Sequence, residues 1–80
     1  MNPSVRSVKP LPGYKLHLEF SNGEKRIFDV TPFLDKGIFR ELKSDQYFNQ
    51  VQVAFGAVQW PNEQDFSKDT LFVLGTPVST

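Results

Sequence analysis

Eighty residues are enough for one small domain with a single core, and nine basic against nine acidic side chains leave no formal net charge. The absence of cysteine excludes disulfides and thiolate metal sites, and the well-mixed charges form no basic stripe of the kind that grips nucleic-acid phosphates. No stretch reaches the roughly 18 apolar residues of a membrane span, and Met1-Asn2-Pro3 is no signal peptide, so a cytoplasmic setting is expected.

Eight Phe, two Tyr and one Trp supply bulky core material in place of covalent staples. Val5 to Leu11 reads as a first strand, confined to an edge by Pro10 and Pro12, which donate nothing to a ladder. Pro12-Gly13 is a turn signal. The stretch from Tyr14 to Val30 follows, and the rest of the chain is organised around it. Tyr14, Leu16, Leu18 and Phe20 alternate with Lys15, His17 and Glu19, and Phe28 and Val30 continue the pattern after Asn22-Gly23. A three-residue loop, Ser21-Asn22-Gly23, pairs Phe20 with Glu24, Leu18 with Arg26 and Leu16 with Phe28, and so keeps the apolar residues on one face. A two-residue loop mixes the faces, so the three-residue loop with Gly23 in the left-handed bulge position is expected.

Thr31-Pro32 has the form of an N-cap followed by Pro at the first helical position. Leu34, Ile38, Phe39 and Leu42 then fall at helical spacing as one apolar stripe, interrupted by Gly37. Ser44 caps a second short turn carrying Tyr47 and Phe48. Val51, Val53 and Phe55, then Val58 and Trp60, alternate again. A two-residue loop at Gly56-Ala57 in a type II′ turn pairs Phe55 with Val58 and Val53 with Trp60. Glu63 to Lys68 reads as a polar loop. Ser67 caps a last helix over Asp69 to Leu74 stopped by Gly75, with a strand over Leu71 to Leu74 as the competing reading. The expected whole is a single α+β domain over residues 1–80, ordered over about 5–74 with a frayed tail over 75–80. It comprises an antiparallel sheet of four to five strands, built from two hairpins with short helices between them.

Candidate sites are few. His17 is the lone histidine and reads as a strand residue. Asp65 and Asp69 form a conceivable carboxylate pair, but capping and turn formation explain them, with Ser67, more simply. Asp29 is placed to bond backbone in the connection to Thr31-Pro32. Lys25 and Arg26, with Lys9, Lys15 and Arg6, form a basic strip or a solvated sheet face. Trp60-Pro61-Asn62, with Asp65, is the most interesting patch. It is either an aromatic interface anchor beside a rigid corner, or simply the largest core residue followed by a turn. No nucleophile–base pair, phosphate-cradling loop or metal-ligand cluster is visible, so neither catalysis nor a cofactor or metal is expected.

Taken together, Tyr14-x-Leu16-x-Leu18-x-Phe20, Asn22-Gly23-Glu24, Phe28-Asp29-Val30, Gly56-x-Val58-x-Trp60-Pro61-Asn62, Asp65 and Asp69-x-Leu71 form a familiar set. The sequence resembles the bacterial domain-of-unknown-function family 2442 over about residues 5 to 73. The resemblance implies a fold like the N-terminal domain of the small bacterial protein NE0471, an antiparallel sheet with short helices on one side. Some relatives carry a helix-turn-helix domain after this one. Others stand alone, encoded beside another small protein, in contexts that imply regulation or a toxin–antitoxin-like pair. This sequence ends where the DNA-binding domain would begin, so that role is not carried over. The family's usual Asn-Gly after Trp-Pro is Asn62-Glu63 here, and the family has no established catalytic residues to transfer. The expected function is a non-enzymatic protein-interaction module that binds a partner protein or itself, with nucleic acid disfavoured and no membrane. The alternatives are an accessory role in nucleic-acid-linked proteins, through Lys15, Lys25 and Arg26, and a small-ligand domain using Asp65, Asp69 or His17.

Overall fold

The alternation around Asn22-Gly23 produces the expected hairpin. In the computed structural model, which describes residues 2–78, strands β1 (Val5–Leu11), β2 (Lys15–Phe20) and β3 (Lys25–Asp29) form an antiparallel meander. Leu16 faces Phe28 and Leu18 faces Arg26, while Phe20 N–H donates to Glu24 O at 2.8 Å, so the loop is Ser21-Asn22-Gly23. Gly23 sits at φ +86°, the left-handed position that ends a loop of this length. Leu16, Leu18, Phe20 and Phe28 are buried on one face, and His17 pairs with Ile27 on the other. β1 is an edge strand, as Pro10 within it requires. Tyr14, whose alternation places it in the strand, instead closes the turn before β2 at φ +61°.

The connection after β3 is tighter than expected. Thr31–Phe33 and Gly37–Lys43 are 3₁₀ turns. Thr31 does not cap: Val30 holds the cap position and Thr31 lies inside the turn beside Pro32. With three residues per turn, Phe39 and Leu42 share a face, and the stripe read at α-helical spacing loses Ile38, which is 61% exposed. Ser44 does cap α1 (Asp45–Phe48), accepting from Tyr47 N–H.

The α+β class with short helices holds, but the strands divide between two sheets. One has the order β1-β2-β3-β7, and the other comprises β4 (Gln52–Ala54), β5 (Ala57–Gln59) and β6 (Asp65–Phe66). The segment read as a polar loop supplies β6, and its Gln64 and Phe66 are buried. Ser67 caps α2 (Lys68–Leu74), so helix prevails over strand there. Gly75 ends α2 in an extended rather than left-handed conformation. It is needed for space, because a Cβ would lie 2.5 Å from Leu71 O. The tail expected to fray from residue 75 instead adds β7 (Thr76–Pro77) to β3, opposite Ile27 and Arg26; residues 79–80 lie outside the described part.

The core lies between the sheets and under the short helices. Phe66 is its hub, with ring centroids 5.0 Å from Phe28, 5.1 Å from Phe33, 4.9 Å from Phe39 and 6.0 Å from Trp60.

Candidate interaction surface

The Trp60 corner is structural. Trp60 is 1% exposed and its indole N–H donates to Phe48 O at 2.9 Å, so the reading of Trp60 as an interface anchor gives way to core. Trp60 N–H donates to Gln64 O and Glu63 N–H to Trp60 O, closing a three-residue loop, Pro61-Asn62-Glu63, of the same form as the first hairpin loop. Asn62 is surface-placed but engaged. Its amide donates to both Glu41 carboxylate oxygens at 2.9 and 2.8 Å, and its backbone N–H to the Tyr47 hydroxyl at 2.8 Å. Buried Gln64 completes the network, accepting from the Tyr47 hydroxyl at 2.6 Å and donating to Ile38 O and Glu41. These bonds fasten the loop to the second 3₁₀ turn and α1, and all of Gln64's buried polar atoms are satisfied. Asp65 is exposed on β6 opposite Gln59, apart from this network.

The other candidates also disperse. His17 is half-buried on β2 between Lys9 and Ile27. Asp69 accepts from Asn2 at 3.0 Å. Among the described residues no three His, Asp or Glu side chains gather into a metal-binding group. Asp29 does hold the strand-to-turn connection, accepting from the Thr31 hydroxyl at 2.7 Å and the Thr31 N–H at 3.0 Å. The hydroxyl, and after it the N–H, hold the Asp29 carboxyl below the ordinary carboxylate range. The basic strip does not assemble. Arg26 turns inward, paired with Glu24, stacked over the Phe72 ring at 3.8 Å and donating to Phe72 O and Gly75 O. Arg6 pairs with Glu19. A cavity of about 370 Å³ opens between the Pro10–Gly13 corner and Asp45, Phe48 and Asn49. None of His17, Asp65 or Asp69 lines it.

What the sequence reading missed is the tip of the second hairpin. Val53 faces Val58 and Ala54 faces Ala57, so the two-residue loop is Phe55-Gly56, one position earlier than expected. Both residues have positive φ, +54° and +75°, the pattern of a type I′ rather than a type II′ turn. Gly56 anchors the shift. Its carbonyl accepts from Val5 N–H at 2.8 Å, and a Cβ there would lie 2.8 Å from Ser4 Oγ, so a larger residue would have to displace the Ser4 side chain as well as hold the left-handed conformation. Phe55 is thereby carried out of the sheet into the turn, with its side chain fully in solvent. The flanking sequence offered one signal: from Gln46 to Asn62 there is not a single charged side chain. Val53, 36% exposed, lies beside the tip. A second group of exposed apolar residues comprises Val73 and Leu74 in the last turn of α2 and Val78 just after β7, where Val78 N–H bonds Lys25 O.

Among known families, the model described as "Protein of unknown function (DUF2442)" matches residues 5–76. No curated protein and no solved structure matches the chain. Matched over nearly its whole length, the chain belongs to the DUF2442 family.

Proposed function

We propose that this DUF2442 chain is a non-enzymatic protein-interaction module whose contact element is the β4–β5 tip, with Phe55 as the anchor. One observation carries the reading: Phe55 exposes its entire ring from a left-handed backbone conformation. That conformation costs a non-glycine residue about 1–2 kcal/mol, and an exposed aromatic recovers nothing from the core. Strain with no intramolecular return marks a place used for something outside the fold. A lone exposed aromatic on a stiff turn is the form of an interface anchor, since it offers large contact area with few rotamers to freeze. Asn62 and Asp65, the other interaction candidates, flank the opposite end of β5 and play no part in this reading. A module of this kind suits a regulatory role or one half of a two-protein unit.

The test pairs stability with capture. Asn favours the left-handed turn position that Phe55 occupies, so Phe55→Asn is expected to stabilise the isolated chain by about 1 kcal/mol, raising Tm by roughly 5 °C. A protein captured from native lysate by the wild type and lost with this more stable variant supports the module. A variant less stable than the wild type, or one that captures equally, overturns it. Trp60→Ala is unsuited to such an experiment because it empties the core.

A further inference from the structure

The geometry points to a binding site for an organic cation, an ammonium or guanidinium group on a short alkyl stem, in the cavity of about 370 Å³ between the Pro10–Gly13 corner and α1. The site is separate from the Phe55 tip. The tip lies against the start of β1 and the cavity at its far end, roughly 20 Å along the strand.

The lining selects the charge of the ligand. Asp45 brings a carboxylate, and among the described residues no Lys, Arg or His lines the cavity. The ion pairs among those residues are Arg6–Glu19, Arg26–Glu24 and Lys43–Asp35, so Asp45 has no cation and the lysine nearest it in sequence is engaged elsewhere. Pro10 and Pro12 have no N–H to give, which makes that wall poor in donors while its carbonyls remain acceptors. Asn49, four positions after Asp45 and so on the same side of α1, adds an amide carbonyl beside the acid. The side-chain hydrogen bonds of this segment are made by Ser44, Tyr47 and Gln50, not by Asp45 or Asn49. An anion would meet the Asp45 charge uncompensated, and a neutral ligand would leave it unused. Apolar surface then sets the stem. Half-buried Pro10 and Leu11 and buried Phe48 line the same cavity, so methylenes leave water as the cation meets Asp45. The volume lies at the small end of ligand cavities, which suits a single chain of this kind.

The test is a titration of the isotopically labelled full chain at neutral pH and low salt, followed by amide chemical shifts. n-Butylammonium is expected to shift Leu11, Gly13, Asp45 and Asn49 saturably with a dissociation constant of about 1–10 mM, leaving Phe55 and Gly56 unmoved. n-Butyrate, of similar length and opposite charge, is expected not to saturate. Methylammonium, the head without the stem, should bind more than about tenfold more weakly, since each buried methylene is worth roughly a factor of four. Asp45→Asn should weaken n-butylammonium by about fivefold, and Asn49→Asp, which adds a second carboxylate, should tighten it. Asp65→Asn, apart from the cavity, should leave affinity unchanged. Asn49→Asp decides the matter if Asp45→Asn loses the dispersed spectrum of a folded chain. Lysine blocked at both backbone ends separates the two sources of such a cation. Binding equal to that of n-butylammonium supports the site and assigns the cation to a side chain of a partner protein; binding of n-butylammonium alone supports the site and assigns it to a free amine. No saturable shift up to about 50 mM, shifts centred elsewhere, equal binding of n-butyrate, or an affinity that neither cavity variant moves would each overturn the site.

Discussion

Among the described residues, three other than glycine occupy the left-handed region, and each stands there on different terms: Tyr14, Phe55 and Glu63. Tyr14 is repaid by packing, with its ring edge-on to Phe48 at 5.5 Å and its hydroxyl donating to Lys43 O at 2.5 Å. Phe55 gains nothing within the fold and is read as an anchor for that reason. Glu63, at φ +74°, ends a loop of the same form as Ser21-Asn22-Gly23, but where that loop uses glycine this one uses an exposed acid. Glu63→Gly is therefore expected to raise stability by about 1 kcal/mol, the relief of strain exceeding the extra freedom of the unfolded chain. Urea unfolding would show this as a higher midpoint at unchanged slope; a lower midpoint would mean that the Glu63 side chain itself holds the loop. The departure from Asn-Gly was visible in the sequence. What was not visible is that Asn62 beside it reaches across to Glu41, a contact spanning 21 positions that no local pattern encodes.

Among the elements, the first hairpin was legible and the second was misread, and the difference is physical. Around Asn22-Gly23, turn chemistry and alternation agree on one register. At the second hairpin they conflict. Placing every apolar residue on one face demands that Phe55 be core, whereas Gly56 must lie against Ser4 and takes the second turn position. Tertiary contact with β1 decided the register, and Phe55 was expelled. The polar reading of Glu63 to Lys68 failed for a related reason: Gln64 is buried because Tyr47, Glu41 and Ile38 satisfy its amide, and Phe66 follows it inward. Arg26 shows a cation used as a fastener between elements. Its side chain is 16% exposed and holds the last turn of α2 and Gly75 to β3 through one ring and two carbonyls. Arg26→Met is expected to cost about 2 kcal/mol, and Arg26→Lys should not restore it, since an ammonium cannot stack and fork in the same way. Amide exchange should accelerate over Leu71–Thr76 more than over Leu16–Phe20. Uniform acceleration would show that the contact stabilises only the molecule as a whole.

At the scale of the whole molecule, two sheets share one core. Phe66 of β6 touches Phe28 of β3, the two 3₁₀ phenylalanines and Trp60 of the β5 end, so neither sheet buries its face without the other. The sheets should accordingly unfold together, with a calorimetric enthalpy equal to the van't Hoff value; two resolved transitions would show that each sheet keeps a core of its own. The family and the α+β class were legible in the sequence because they rest on strand alternation and turn residues. The division into two sheets was not, because it depends on where Phe66 docks. The placement of Trp60 has one more consequence. As the chain's single indole, wedged between Phe48 and Phe66 and donating to a backbone carbonyl, it is a built-in optical probe at the seam of the two sheets. Its emission colour reports closure of that seam with no label attached, while Phe55, lacking an indole, leaves that light undisturbed when the tip finds its partner.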